Sequence, residues 1–111
     1  MPKKDPLLAE IAALLAVSDG SDDPARLERT LTDGYARALS LEGEHRRLER
    51  RIGSMAADRG GPEARRELAS LMRLVKRRQG DLRALRDQLV ELRRRHSSAV
   101  RRSYTSPDRT A

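Results

Sequence analysis

Two histidines are the only side chains here whose ordinary pKa lies near neutral pH, so acid–base chemistry or metal binding would have to begin with them. His45 and His96 both fall within apolar heptad repeats, where polar residues commonly fix the register or oligomeric state of paired helices. The serines Ser40, Ser54 and Ser70 have no histidine at a spacing that would activate them. The sequence contains no cysteine, which excludes a thiolate metal site and a cysteine nucleophile. We therefore predict no enzyme, no catalytic or metal site, no cofactor and no small-molecule substrate.

Basic charge is the second feature with chemical consequences. The chain has 24 lysines and arginines against 17 acids, a net charge of +7. The excess lies towards the C-terminus, because residues 62–96 carry eleven bases and five acids, whereas residues 1–24 carry a net charge of −3. Six basic residues are expected on the outward arc of one helix, and we call them the basic arc: Arg66, Arg73, Lys76, Arg77, Arg83 and Arg94.

The basic arc is open to more than one interpretation. A stripe of arginines predicts salt-sensitive contact with nucleic-acid phosphates. That binding would be non-specific, since Tyr35 and Tyr104 are the only aromatic residues and bases would have little to stack on. Mixed arginine and glutamate also suit a solvated helix surface or an acidic protein partner. The codons of a GC-rich genome produce arginine richness as well.

The elements that carry these residues follow from the apolar spacing. Apolar residues recur at alternating steps of three and four from Leu27 to Met55 and again from Leu68 to Ala99, which is a heptad pattern. Gly60-Gly61-Pro62 separates the two stretches: Gly60 suits a left-handed helix cap and Pro62 suits a helix start. Two such helices joined by a short loop predict an antiparallel hairpin, with His45 near Arg78 in a polar layer. The hairpin seam is expected to contain Leu31, Leu41, Leu48, Ile52, Leu68, Leu71, Val75, Leu82, Leu85, Leu89 and Leu92.

A short helix is predicted before the hairpin. Asp5-Pro6 is a favourable helix start, and an apolar face follows, but so short a helix is unstable alone and must dock on another element. We therefore predict an all-α fold: a long antiparallel two-helix coiled-coil hairpin with a short N-terminal helix docked on its open end. The predicted divisions are residues 1–23 for the amphipathic helix and polar linker, 24–102 for the hairpin with its turn at about 58–62, and 103–111 for a disordered tail.

Apolar residues outside the seam indicate a further interaction. We expect the N-terminal helix to cover Tyr35 and Leu39, and residues nearer the loop to contact a second chain. The candidate partner or dimer surface comprises Tyr35, Leu39, Met72, Leu74 and Val90. The resulting hypothesis is a non-enzymatic coiled-coil protein–protein interaction module that is cytoplasmic and self-associates, most simply as a homodimer. The alternative is non-specific nucleic-acid binding through the basic arc. No membrane partner is expected, because the longest apolar run is far shorter than the ~20 residues that a spanning helix needs.

Overall fold

A computed structural model describes residues 6–17, 23–58 and 60–105 of the chain. Three helices and no strands occur within these ranges: α1, Pro6–Ala16; α2, Pro24–Ala57; and α3, Pro62–Thr105. Helices α2 and α3 pack closely as a helical hairpin, and α1 is the short N-terminal helix. The predicted all-α class and helical hairpin are therefore confirmed. Helix α3 continues to Thr105, past the predicted hairpin end at Arg102, and residues 106–111 of the predicted tail lie outside the described residues.

The start of α2 and the turn before α3 have identifiable causes. Asp23 caps α2, because its side-chain Oδ1 accepts a hydrogen bond from the Ala25 amide at 3.1 Å. Pro62 is the first residue of α3, a position where its missing N–H costs no hydrogen bond. Gly60 does not adopt the left-handed conformation that we predicted. It is needed for a different reason, since a Cβ at this position would overlap the Cβ of Ala64.

The chain divides into two compact units. The first, which we call the three-helix unit, comprises Met1–Ala36 and Leu85–Ala111, and therefore contains α1 with the beginning of α2 and the end of α3. The second, the two-helix unit, is Arg37–Ala84. In sequence, the two-helix unit has 13 basic and seven acidic residues, a net charge of +6, whereas the three-helix unit has a net charge of only +1.

The three-helix unit has a closed apolar core. Ile11 of α1, Leu27 of α2, and Leu85 and Leu92 of α3 are each at most 1% exposed. Side chains of this size contribute roughly 1.5–3 kcal/mol each when they are fully buried. The buried residues of this core are Ile11, Leu14, Leu27, Thr30, Leu31, Gly34, Leu85, Leu89, Leu92 and Ala99. An 11-residue helix is marginal by itself, so α1 depends on this core for its stability.

Helix α1 packs on its own chain through polar contacts as well as apolar ones. The Arg95 guanidinium donates hydrogen bonds to the carbonyl oxygens of Leu14 and Val17, both at 2.8 Å, and of Leu15 at 2.7 Å. These carbonyls lie at the end of α1, where backbone acceptors lack helical partners and the helix dipole favours a cation. Arg95 therefore caps α1 from α3.

Helix α1 does not cover the residues that we expected it to cover. Tyr35 is 43% exposed and Leu39 is 67% exposed, so this prediction is wrong. The Ile11 side chain instead lies beside Gly34, and a Cβ added there would lie 3.7 Å from Ile11 Cδ1. Because successive residues of a helix point about 100° apart, the side chain of Tyr35 projects away from the Gly34 position that faces α1.

The two-helix unit buries its seam only in part. Ala38, Leu41 and Leu82 are buried. The other seam residues of this unit are half-buried: Leu48, Ile52, Leu68, Leu71 and Val75. Each helix of a pair covers only one stripe of the other, so the flanks of the apolar seam stay accessible to water.

Candidate interaction surface

One flank of the two-helix unit contains an open groove of about 550 Å³, which we call groove 1. Ile52, Met72 and Val75 form its apolar part. Met72 is 54% exposed and lies beside the half-buried Ile52 and Val75, so the three side chains form one accessible apolar strip. The complete lining is Glu49, Ile52, Gly53, Met72, Arg73, Val75 and Lys76.

Gly53 gives groove 1 part of its width. It lies in the interior of α2, where glycine is less favourable than alanine by roughly 0.5–1 kcal/mol. A Cβ added at Gly53 would meet no other atom within 4 Å. Packing within the chain therefore does not explain this glycine, and its effect is to leave space beside Ile52.

The charges around groove 1 are unevenly neutralised. Lys76 and Arg73 form no ion pair within the described residues, and Arg73 Nη2 only donates to Ser70 Oγ at 3.2 Å. Across the groove, Glu49 Oε1 lies 3.5 Å from Nε2 of His45. The α3 wall of groove 1 therefore presents two exposed cations, and its α2 wall presents one carboxylate that already has a neighbour.

A second groove, of about 310 Å³, contains Leu48 and Leu74 and is called groove 2. Leu74 and Met72 point about 200° apart on α3, so the two grooves lie on opposite flanks of the seam. Two ion pairs join the helices at groove 2: Arg78 Nη1 lies 2.9 Å from Glu44 Oε2, and Arg51 Nη2 lies 2.9 Å from Glu67 Oε1. The complete lining is Glu44, Arg47, Leu48, Arg51, Leu74 and Arg78.

The polar layer predicted at His45 is only partly as expected. Arg78 reaches Glu44, the neighbour of His45, and forms the ion pair described above. The His45 side chain is 15% exposed and its Nδ1 has no hydrogen-bond partner in the described structure. His45 is therefore a seam residue that pairs along its own helix with Glu49.

All six residues of the basic arc are exposed. Arg94 differs from the others, because its Nη2 and Nε donate to the Glu91 carboxylate at 2.6 and 3.1 Å. This hydrogen bonding lowers the pKa of Glu91, and the positive charges of Arg94 and Arg95 lower it further. Arg66, Arg77 and Arg83 form no ion pair within the described residues, so their charge is available to a partner.

The residues predicted as a partner surface are distributed over separate sites. Val90 is 69% exposed and, like Tyr35, belongs to the three-helix unit. Leu39, Met72 and Leu74 belong to the two-helix unit, but Met72 lines groove 1 and Leu74 lines groove 2. Gly53 and Glu49 were not predicted from the sequence; a glycine directly after the seam residue Ile52 was a signal for Gly53, and no sequence signal pointed to Glu49.

Within residues 6–17, 23–58 and 60–105, no cluster of three or more histidine, cysteine, aspartate or glutamate residues could hold a metal ion. No helix among these residues combines the length and apolar character needed to cross a membrane. Comparison with known proteins adds no relative: no protein-family model matches the chain, no curated protein matches its sequence and no solved structure matches its fold.

Proposed function

We propose that the chain is a non-enzymatic helical protein–protein interaction module of the cytoplasm, and that its two-helix unit binds a helix of another chain. The observation that carries this proposal is the contrast in seam burial. Where α1 provides a third helix, the leucines of α3 are almost fully buried, whereas Leu71 and Val75 in the two-helix unit are half-buried. A helix placed beside them would bury the remaining apolar surface.

The driving force for such binding is apolar burial at residues that the chain itself leaves accessible. Met72 is the most exposed apolar side chain that lines groove 1, and removing it from water is worth roughly 0.8 kcal/mol per methylene. The binding chain is either a second copy, which gives the predicted homodimer, or a different protein. The absence of cysteine suits the reducing cytoplasm in which we place the module.

Photo-cross-linking tests this proposal directly. Met72 is replaced by p-benzoylphenylalanine in the full chain, which is expressed in the cells that produce the protein and irradiated there. Ala84, an exposed residue of α3 that lines neither groove and lies about 18 Å along the helix axis from Met72, is the control position. We expect a protein adduct from position 72 that is absent from position 84. Equal adducts from both positions, or none from position 72, would disprove the proposal.

The mass of the adduct and the mass of the purified protein together distinguish self-association from binding to a different protein. An adduct at twice the chain mass, together with a dimer by light scattering at low and high salt, identifies self-association. An adduct whose mass differs from twice the chain mass, obtained from a chain that is monomeric by light scattering, identifies a different partner protein.

Non-specific nucleic-acid binding is a second candidate function. It is favoured by the net charge of +6 on the two-helix unit and by Arg66, Arg77 and Arg83, which form no ion pair within the described residues. Replacing these three arginines by glutamine should weaken binding and reduce the slope of log K against log salt by about 0.9 for each phosphate that is no longer neutralised. Arg94→Gln is the matched control, because Glu91 already neutralises that side chain. The absence of any binding at low salt would exclude this candidate.

A further inference from the structure

Groove 1 and groove 2 belong to the same pair of helices but differ in charge. Two of the three arginines that line groove 2 are ion-paired with glutamates. The two cations that line groove 1, Arg73 and Lys76, form no ion pair within the described residues. Groove 1 is also the larger of the two and contains the more exposed apolar side chain, Met72.

We infer that groove 1 binds an amphipathic helix of a partner protein whose apolar face is flanked by carboxylates. This inference rests on the proposed function and specifies the surface used and the chemistry of the partner. The apolar face would contact Ile52, Met72 and Val75, and the carboxylates would lie against Arg73 and Lys76 on the α3 wall.

The dimensions of groove 1 set the pattern of the bound helix. Its lining extends from Glu49 to Gly53 on α2 and from Met72 to Lys76 on α3, which is about 6 Å of helix axis at 1.5 Å per residue. This length accommodates about two apolar side chains, spaced i to i+3 or i to i+4 on the bound helix. Acidic residues that flank this apolar pair on the side of the bound helix nearer α3 would then reach Arg73 and Lys76 on the α3 wall.

Charge argues against a second copy of this chain as the occupant. Two copies associating through their two-helix units would bring together surfaces that each carry a net charge of +6. The chain does have a short, weakly acidic helix in α1, but the apolar face of α1 is buried in its own three-helix unit and Arg95 caps its end. The occupant is therefore a different chain with a negative flank.

A pair of synthetic helical peptides tests the charge requirement. Both have leucines at i, i+3, i+4 and i+7 on an alanine and glutamine background; one has glutamate at the flanking positions and the other has lysine there. Binding of each labelled peptide to the full chain is measured by fluorescence anisotropy near physiological ionic strength. We expect the glutamate peptide to bind about ten-fold more tightly, or better, which is the free energy of a few partly desolvated charge pairs.

Matched glycine variants locate the binding site. Gly53→Gln adds a side chain inside groove 1, whereas Gly80→Gln makes the same change at an exposed position of α3 outside both grooves. A Cβ meets no other atom within 4 Å at either glycine, so both variants should fold, and circular dichroism checks this. We expect Gly53→Gln to weaken binding of the glutamate peptide by about ten-fold or more, and Gly80→Gln to change this affinity by less than about two-fold.

Charge-reversal variants distinguish the effect of the cations that line groove 1 from the effect of the net charge of the chain. Arg73→Glu with Lys76→Glu should reverse the preference towards the lysine peptide. Arg66→Glu with Arg77→Glu makes the same change in net charge on exposed arc residues that do not line groove 1, and should retain the glutamate preference. If both double variants behave alike, the preference comes from net charge and the inference is wrong.

The remaining outcomes are also decisive. No binding of the glutamate peptide, equal binding of both peptides, or equal losses from Gly53→Gln and Gly80→Gln would each overturn the inference. A cross-linked adduct of twice the chain mass from position 72 would identify a second copy as the occupant; it would overturn the inference and leave the proposed function standing. Absence of any protein adduct at position 72 would instead remove the proposed function itself.

Discussion

The three-helix unit and the two-helix unit are built from the same two helices, yet their apolar seams are buried to different extents. In the three-helix unit, Leu85 and Leu92 are completely buried because α1 covers the flank that a helix pair leaves open. In the two-helix unit, Leu71 and Val75 remain half-buried, and two grooves flank the seam. The difference shows that a heptad pattern specifies which residues face the neighbouring helix, but not how completely they are removed from water.

The two units also differ in net charge. The three-helix unit, whose core is complete, is nearly balanced at a net charge of +1. The two-helix unit has a net charge of +6, and several of its cations form no ion pair within the described residues. The half-buried seam and the unneutralised charge thus occur in the same unit, and both are available to a binding partner there.

The largest expected effect is a difference in the cost of removing a leucine side chain from each unit. Leu92→Ala, in the closed core, should lower the free energy of unfolding by about 2–5 kcal/mol, because it creates a cavity as well as losing burial. Leu71→Ala makes the same change on the same helix at a half-buried position and should cost roughly half as much. Urea denaturation followed by circular dichroism measures both. Equal costs would mean that the two units do not differ in packing.

The second effect concerns the contact that holds α1 in the three-helix unit. Arg95→Gln removes the guanidinium group that donates hydrogen bonds to three carbonyl oxygens at the end of α1. It should destabilise the fold by about 2–3 kcal/mol. Amide hydrogen exchange in α1 should accelerate most. The neighbouring Arg94→Gln is the control, since Arg94 forms a solvent-exposed pair with Glu91, and such pairs contribute little to stability. A uniform loss of protection across all helices would contradict a local capping role.

The sequence predicted the helices and the general position of α1 because both follow from local periodicity. Heptad spacing from Leu27 to Met55 and from Leu68 to Ala99 indicated the hairpin, and the shortness of α1 required it to dock. Which residues of α2 and α3 are contacted by α1 could not be predicted in the same way. Gly34 lies within the first heptad stretch, and its lack of a side chain is what admits Leu89 and Ile11; this displaced the expected contact from Tyr35.

The candidate site was predicted less completely than the fold. Met72 and Leu74 were identified as apolar residues outside the seam, but their assignment to opposite flanks depends on helix geometry rather than on residue type. Which cations are neutralised depends on cross-helix distances, such as 2.9 Å between Arg78 and Glu44, that no spacing along one helix reveals. Gly53 was not identified because glycine within a helix has no apolar signature.

The third effect compares one substitution at two glycines of α2. Gly34→Ala in the three-helix unit should destabilise the fold by about 1 kcal/mol or more, because the new Cβ overlaps Leu89, which is only 2% exposed and has little room to move. Gly53→Ala in the two-helix unit should instead stabilise by about 0.5–1 kcal/mol, since it gains helix propensity in open space. Thermal melts of both variants test the opposite signs. Stabilisation by both would show that the core around Gly34 is not tightly packed.

The smallest effect is a pH dependence expected at Glu91, within the three-helix unit. Hydrogen bonds from Arg94 hold the pKa of Glu91 below its ordinary value, and the nearby Arg95 lowers it further. The unfolded chain, with the ordinary glutamate pKa, therefore binds more protons than the folded chain between the two pKa values, and stability rises with pH in that window. The contribution is complete above the unfolded pKa and is lost as the pH falls through the folded pKa. Glu91→Gln should melt below the wild type at neutral pH, and this difference should disappear in strong acid. A constant difference from neutral to acidic pH would mean that the carboxylate charge of Glu91 does not contribute.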